Sequence, residues 1–193
     1  MLYKAFGLQG AMVTSSVLYK GAGPGSHWHV HDARLTGFSP SATAPPTPAG
    51  VVRHIAQGSL VSPYISFTTS FAVARQYALV GVGGVASSAS PGYVYEVDVS
   101  QMGVPFTFVN PLERLIAGSN GRYCHEHNGT GALLAEIAAG MLSWSAAMQS
   151  GMQYVTPTVT PELRALVFAV RDAEVLSDRS VPAAAIFRRH NVS

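Results

Sequence analysis

Two groups of side chains in this chain are spaced closely enough to do chemistry together. The first is a row of hydroxyls in Ser62-Pro-Tyr-Ile-Ser-Phe-Thr-Thr-Ser70, where Ser66, Thr68, Thr69 and Ser70 crowd one short stretch. A hydroxyl both donates and accepts, so such a row can cap a helix or brace a polar ligand. The second group is imidazoles. His27-Trp-His-Val-His31 alternates, which on a strand would turn three histidines to one face. His125 and His127 flank Glu126, with Cys124 adjacent. Imidazoles with a carboxylate suit iron, zinc or nickel. Cys124 beside His125 lacks a third orienting group, so a thiol nucleophile is not indicated.

These residues need elements to hold them. Pro63 suits the start of a strand, and Tyr64, Ile65, Phe67 and Thr68 favour extended structure. Phe71, Val73, Ala74, Tyr77 and Ala78 then recur at helical spacing. The stretch reads as a buried strand, a hydroxyl corner and an amphipathic helix. Val17 to Lys20 is a short β-type run ending at Gly21, and Gly21 to Ser26 is loop. Val51 to Gln57 reads as a short helix closed by Gly58. Gly81 to Gly92 reads as a flexible link. Gly92-Tyr-Val-Tyr-Glu-Val-Asp-Val99 alternates and is the clearest strand. Phe106 to Val109 reads as a further strand and Gly131 to Met148 as helix-like. Leu163 to Val170 reads as a core strand, and Val175 to Ser180 as a turn. Strands and helices do not alternate regularly, which favours α+β over a doubly wound sheet.

The string Tyr64-Ile-Ser-Phe-Thr-Thr-Ser70 resembles the aromatic–x–Ser-Thr-Ser strand of the mono-ADP-ribosyltransferase fold, a family that includes cholera-toxin-like and clostridial-toxin-like enzymes. The resemblance runs over about Val17 to Glu136. It implies two small packed sheets, mixed or antiparallel, around a cleft for NAD with flanking helices. It implies that Ser66, Thr68, Thr69 and Ser70 orient that cleft, and that Tyr64 or Tyr77 packs near the nicotinamide. Tyr19-Lys20-Gly21 stands where the family usually carries an arginine that anchors NAD. Lysine there meets phosphate as a point charge without the bidentate fork, and His27 or His29 could share the task. The resemblance also calls for a late glutamate that stabilises the oxocarbenium-like state as nicotinamide leaves. Glu136, in Leu133-Leu-Ala-Glu-Ile-Ala138, is the candidate, with Glu113 and Glu126 as rivals. Leu134, two residues before it, stands where many protein-modifying members have Gln or Glu. That leaves the acceptor open between a macromolecule and water.

Composition bounds the rest. The 193 residues, 48% hydrophobic and 11% charged, suit a single globular domain over 1–193. A net charge of +2 is too small to argue for nucleic acid. One cysteine excludes an internal disulfide framework and a cysteine-only zinc site. Met1 to Met12 has no long apolar run, so no secretory signal is expected, and Ala132 to Met148 carries Glu136, so no membrane span is expected. The expectation is therefore an α+β, NAD-consuming ADP-ribosyltransferase or NAD glycohydrolase, with no metal. By analogy it is a bacterial toxin or effector domain. It would act in the cytoplasm after delivery by a secretion system, on a protein or nucleic-acid acceptor, and be opposed by an immunity or antitoxin protein. Two other readings stand beside it. The histidines at 27, 29 and 31 resemble the His-x-His of cupin metal sites, which would make a metal enzyme. The third is a non-catalytic interaction module whose hydroxyls and histidines are structural.

Overall fold

Five strands pair into one antiparallel sheet in the computed structural model, which describes residues 16–45, 47–57, 61–102, 109–118 and 161–193. In chain order the elements are β1 (Val17–Ala22), α1 (His27–Val30), α2 (Ala33–Thr36), α3 (Pro48–Gln57), β2 (Ile65–Thr68), α4 (Phe71–Leu79), β3 (Val80–Gly81), β4 (Gly84–Val85) and β5 (Gly92–Asp98). There follow α5 (Pro111–Gly118), α6 (Pro161–Arg171), β6 (Glu174–Ser177) and β7 (Ile186–Val192). The sheet order is β6-β2-β1-β5-β7, and β3 and β4 form a separate two-stranded hairpin. The α+β class holds. Among the described residues the two sheets are unequal, and helices rather than a second sheet stand over the cleft described below.

Each face of the sheet is covered by a different set of side chains. On one face Leu18, Phe38, Phe67, Tyr95, Val97, Val181 and Ile186 make a buried cluster. On the other, α4 lays Ala74 and Ala78 against Val94 and Val192. This double burial explains the strand β5, whose Val94, Tyr95 and Val97 are all fully enclosed. Helix α4 can lie so close because Gly21 and Gly92 carry no side chain. A Cβ on Gly21 would strike the Ala74 carbonyl oxygen, and one on Gly92 the Ala78 carbonyl oxygen. A third cluster joins α3, α5 and α6 through Val51, Leu115, Ala165, Leu166 and Ala169 to Leu176 of β6 and to Tyr64.

Several local expectations are corrected. His27 to Val30 is a helical turn, so the three histidines do not share a strand face. Leu163 to Val170 belongs to α6; Ala165, Leu166 and Ala169 are buried at helical spacing. An eight-residue apolar run is ambiguous between a buried strand and a buried helix, and length decides for the helix here. The expected turn after Val175 is mostly strand, since Glu174 to Ser177 pairs with β2. The link from Gly81 to Gly92 contains all of the β3–β4 hairpin except Val80. Residues 103–108 and 119–160 lie outside the described residues. With them lie the helix-like segment from Gly131, the second histidine cluster with Cys124, and the glutamates Glu126 and Glu136. Of the expected strand at Phe106 to Val109, only Val109 is described, bridged to Leu176.

Candidate functional site

The hydroxyl strand does form the floor of a cavity. Register sets the row: Tyr19 of β1 stands opposite Thr68 of β2, and Thr68 stands opposite Glu174 of β6. Directly opposed residues in antiparallel strands present their side chains to the same face. Ser66 joins that face by the two-residue period. The cavity above them holds about 540 Å³. Helix α3 walls it with His54, Ile55 and Ala56; α4 adds Val73, Ala74 and Tyr77; and the end of α6 brings Phe168, Arg171 and Asp172. That volume falls within the range of small-molecule sites, roughly 300–1,000 Å³.

Of the residues expected from the sequence, Tyr19, Lys20, Gly21, Ser66, Thr68 and Tyr77 line this cavity. The others do not. Tyr64 is buried in the helical cluster and donates its phenol to the Thr47 carbonyl at 3.1 Å, so of the two expected tyrosines only Tyr77 faces the cavity. Ser70 is the N-cap of α4, its hydroxyl accepting from Val73 N at 3.4 Å. Thr69 contributes a backbone bond, donating its N–H to the Ala173 carbonyl. His27 is exposed, with its ring against Trp28 and His31. His29 has both ring nitrogens engaged, Nδ1 with the Gly25 N–H and Nε2 with the Pro91 carbonyl. It therefore has no nitrogen left for a metal. Among the described residues no group of three His, Cys, Asp or Glu side chains could hold an ion.

Two residues at the heart of the site were missed in the sequence. One is Glu174, the first residue of β6. Burial pushes its carboxyl up to about 7, against the lowering pull of the Ser66 hydroxyl bond and of nearby Lys20 and Arg171, while Asp172 adds to the rise. The other is His54, which is 4% exposed. Its Nδ1 lies 2.7 Å from the Ser62 hydroxyl and its Nε2 2.7 Å from the Ser66 hydroxyl. Burial, helped by the Lys20 charge, lowers its pKa to about 4, so it is neutral at pH 7. A neutral imidazole donates once and accepts once. One assignment satisfies every partner: Ser62 donates to Nδ1, Nε2–H donates to Ser66, and the Ser66 proton points to Glu174. Lys20 completes the group. Its amine donates to the Ser66 carbonyl at 2.9 Å. Burial lowers its pKa to about 8, with Glu174 acting in the opposite sense.

Asp172 and Arg171 form the rim beside Glu174. The guanidinium holds the Asp172 carboxylate through Nε at 2.6 Å and Nη2 at 2.7 Å. The Tyr77 phenol donates to the same carboxylate at 2.5 Å. The Thr68 hydroxyl donates to the Asp172 main-chain oxygen and accepts from Ser70 N, tying the floor to the rim.

The chain matches no protein-family model and no curated protein sequence. Among the described residues no helix is long and apolar enough to cross a membrane.

Proposed function

We propose that the cavity binds NAD and that the protein splits the bond between nicotinamide and ribose, passing ADP-ribose to an acceptor or to water. One observation supports this reading above the rest. The residues picked out by the resemblance, Lys20, Ser66, Thr68 and Tyr77, converge on one cavity, and a buried carboxylate stands among them. Glu174 takes the role expected of Glu136. As the C1′–N bond breaks, its electron pair leaves with the pyridine nitrogen and positive charge grows on the ribose. A carboxylate fixed in a buried site stabilises that charge without having to reorient. Ser66, oriented by His54, holds the carboxylate in place. Lys20 offers a positive charge to the dinucleotide from the floor. Tyr19, Tyr77 and Phe168 supply aromatic walls for its rings. On this reading the chain is a toxin or effector domain, a placement that rests on the resemblance alone.

The test is nicotinamide release from NAD by the parent protein and by Glu174→Gln. The swap keeps size and removes the charge. A loss of about 100-fold or more is expected for a contact of this kind. Turnover within a few-fold of the parent would overturn the assignment of Glu174. No release by the parent under any condition would overturn the activity.

A further inference from the structure

Asp172 is the second carboxylate of the cavity, two residues before Glu174, and the chain itself occupies it. Oδ1 accepts from Arg171 Nε; Oδ2 accepts from Arg171 Nη2 and from the Tyr77 hydroxyl. Arg171 Nη2 also donates to the Tyr77 oxygen at 2.8 Å. The guanidinium carbon lies 4.6 Å from the Phe168 ring centroid, which holds the plane of the fork. Tyr77, at the mouth, is 50% exposed, while the Asp172 side chain keeps 13%. An open carboxylate beside the reacting centre would draw in a cation, and a planar guanidinium best of all, because two parallel N–H groups match its two oxygens. Here that docking place is filled from within.

Resting on the NAD-splitting reading above, we infer that the nucleophile receiving ADP-ribose is uncharged, water or a hydroxyl, and that Arg171 sets this choice by occupying Asp172. The step balances simply. The C1′–N bond breaks with its pair on nicotinamide, a C1′–O bond forms, and the hydroxyl proton leaves by way of Glu174 to solvent. With a guanidinium acceptor the new bond would be C1′–N, and the same proton count would apply. The selection therefore lies in docking and not in the chemistry of the leaving group.

The probe is agmatine, a small guanidinium compound, added to NAD with the parent, Arg171→Gln and the double variant Arg171→Gln/Asp172→Asn. Nicotinamide, ADP-ribose and ADP-ribosylagmatine are separated and counted. The parent is expected to give ADP-ribose with or without agmatine, its rate unchanged within about twofold. Arg171→Gln should divert ADP-ribose to agmatine at least about 10-fold more than the parent, and the double variant should lose that gain. A merely structural role for Arg171 would lower all products together and leave their ratio alone. Arg171→Lys, which keeps a cation but not the fork, should fall between parent and Gln and serves if the Gln variant does not fold. Agmatine adduct as the parent's main product, or an unchanged ratio in both single variants, would overturn the inference while nicotinamide release stood. Absence of nicotinamide from the parent would instead remove the reading beneath it, and the inference would fall with it.

Discussion

Thr68 and Glu174 stand opposite each other in the ladder between β2 and β6, and the Thr68 hydroxyl closes on the main-chain oxygen of Asp172 two residues earlier. One threonine thus sets both the height of the proposed catalytic carboxylate and the corner leading into its strand. Thr68 is also 5% exposed, so losing its hydroxyl leaves a buried carbonyl and the Ser70 N–H without their partner. Thr68→Val should cost roughly 1–3 kcal/mol of stability. Urea unfolding followed by circular dichroism reads this directly, and Thr68→Ser should recover most of it.

The pH profile of nicotinamide release should report Glu174. On the proposed reading the carboxylate must be charged to work, and burial has raised its pKa to about 7. Activity is therefore expected to climb as pH rises through about 7, well above the ordinary range of a glutamate, roughly 4.3. A kcat/KM profile already flat from pH 5 upward would contradict this.

Lys20 and Ser66 both pull the Glu174 pKa down. Removing either should move the rising limb to higher pH. Lys20→Met and Ser66→Ala are the variants, with kcat/KM followed from pH 5 to 9. Ser66→Ala should also lower the plateau about 10-fold, since the carboxylate loses the hydroxyl that orients it. An unchanged midpoint in both would mean that neither residue acts on Glu174.

His54 should make the protein sensitive to acid. Its folded pKa, about 4, lies below the unfolded value of about 6.5. A depressed pKa contributes stability at pH above the unfolded value, and that contribution fades as pH falls from about 6.5 through about 4. The Tm difference between parent and His54→Gln should therefore shrink over that window. Glu174 runs the other way, its raised pKa weakening the fold as pH climbs from about 4.5 to about 7, and it cancels in the comparison because both proteins carry it.

Gly21→Ala tests how closely α4 must approach. The added methyl would meet the Ala74 carbonyl and the Tyr77 Cβ. Overpacking of this kind costs roughly 1–3 kcal/mol. Because Tyr77 rides on the displaced helix, nicotinamide release should fall as well, with the larger effect on KM. A thermal shift of less than about 1 °C would show that the helix moves freely.

Much of this arrangement was legible in the residues. The hydroxyl strand, the corner and the helix appear as read from Ile65 to Leu79, because their periodicities differ and Ser70 marks the change. The strand at Gly92 was equally plain. Glu174 was not visible, since its strand has four residues and follows a helix that reads like a strand. The chain pattern says nothing about which distant carboxylate the β2–β6 register brings to Ser66. His54 was hidden for a related reason. A single histidine on the apolar side of a ten-residue helix looks like packing until its two serine partners are seen, and those lie elsewhere, Ser66 in β2 and Ser62 just before it. His27, His29 and His31 misled in the opposite direction, because alternation over five residues fits a strand, whereas a helical turn after Gly25 and Ser26 satisfies the backbone there.

The groove is put together from segments more than 150 residues apart, Tyr19 and Lys20 at one end of the chain and Glu174 at the other. A ribosome will have released the lysine, the serines and the histidine long before the acid that completes them. Until β6 has been made the cavity lacks Glu174, and a chain truncated anywhere before β6 could not assemble it.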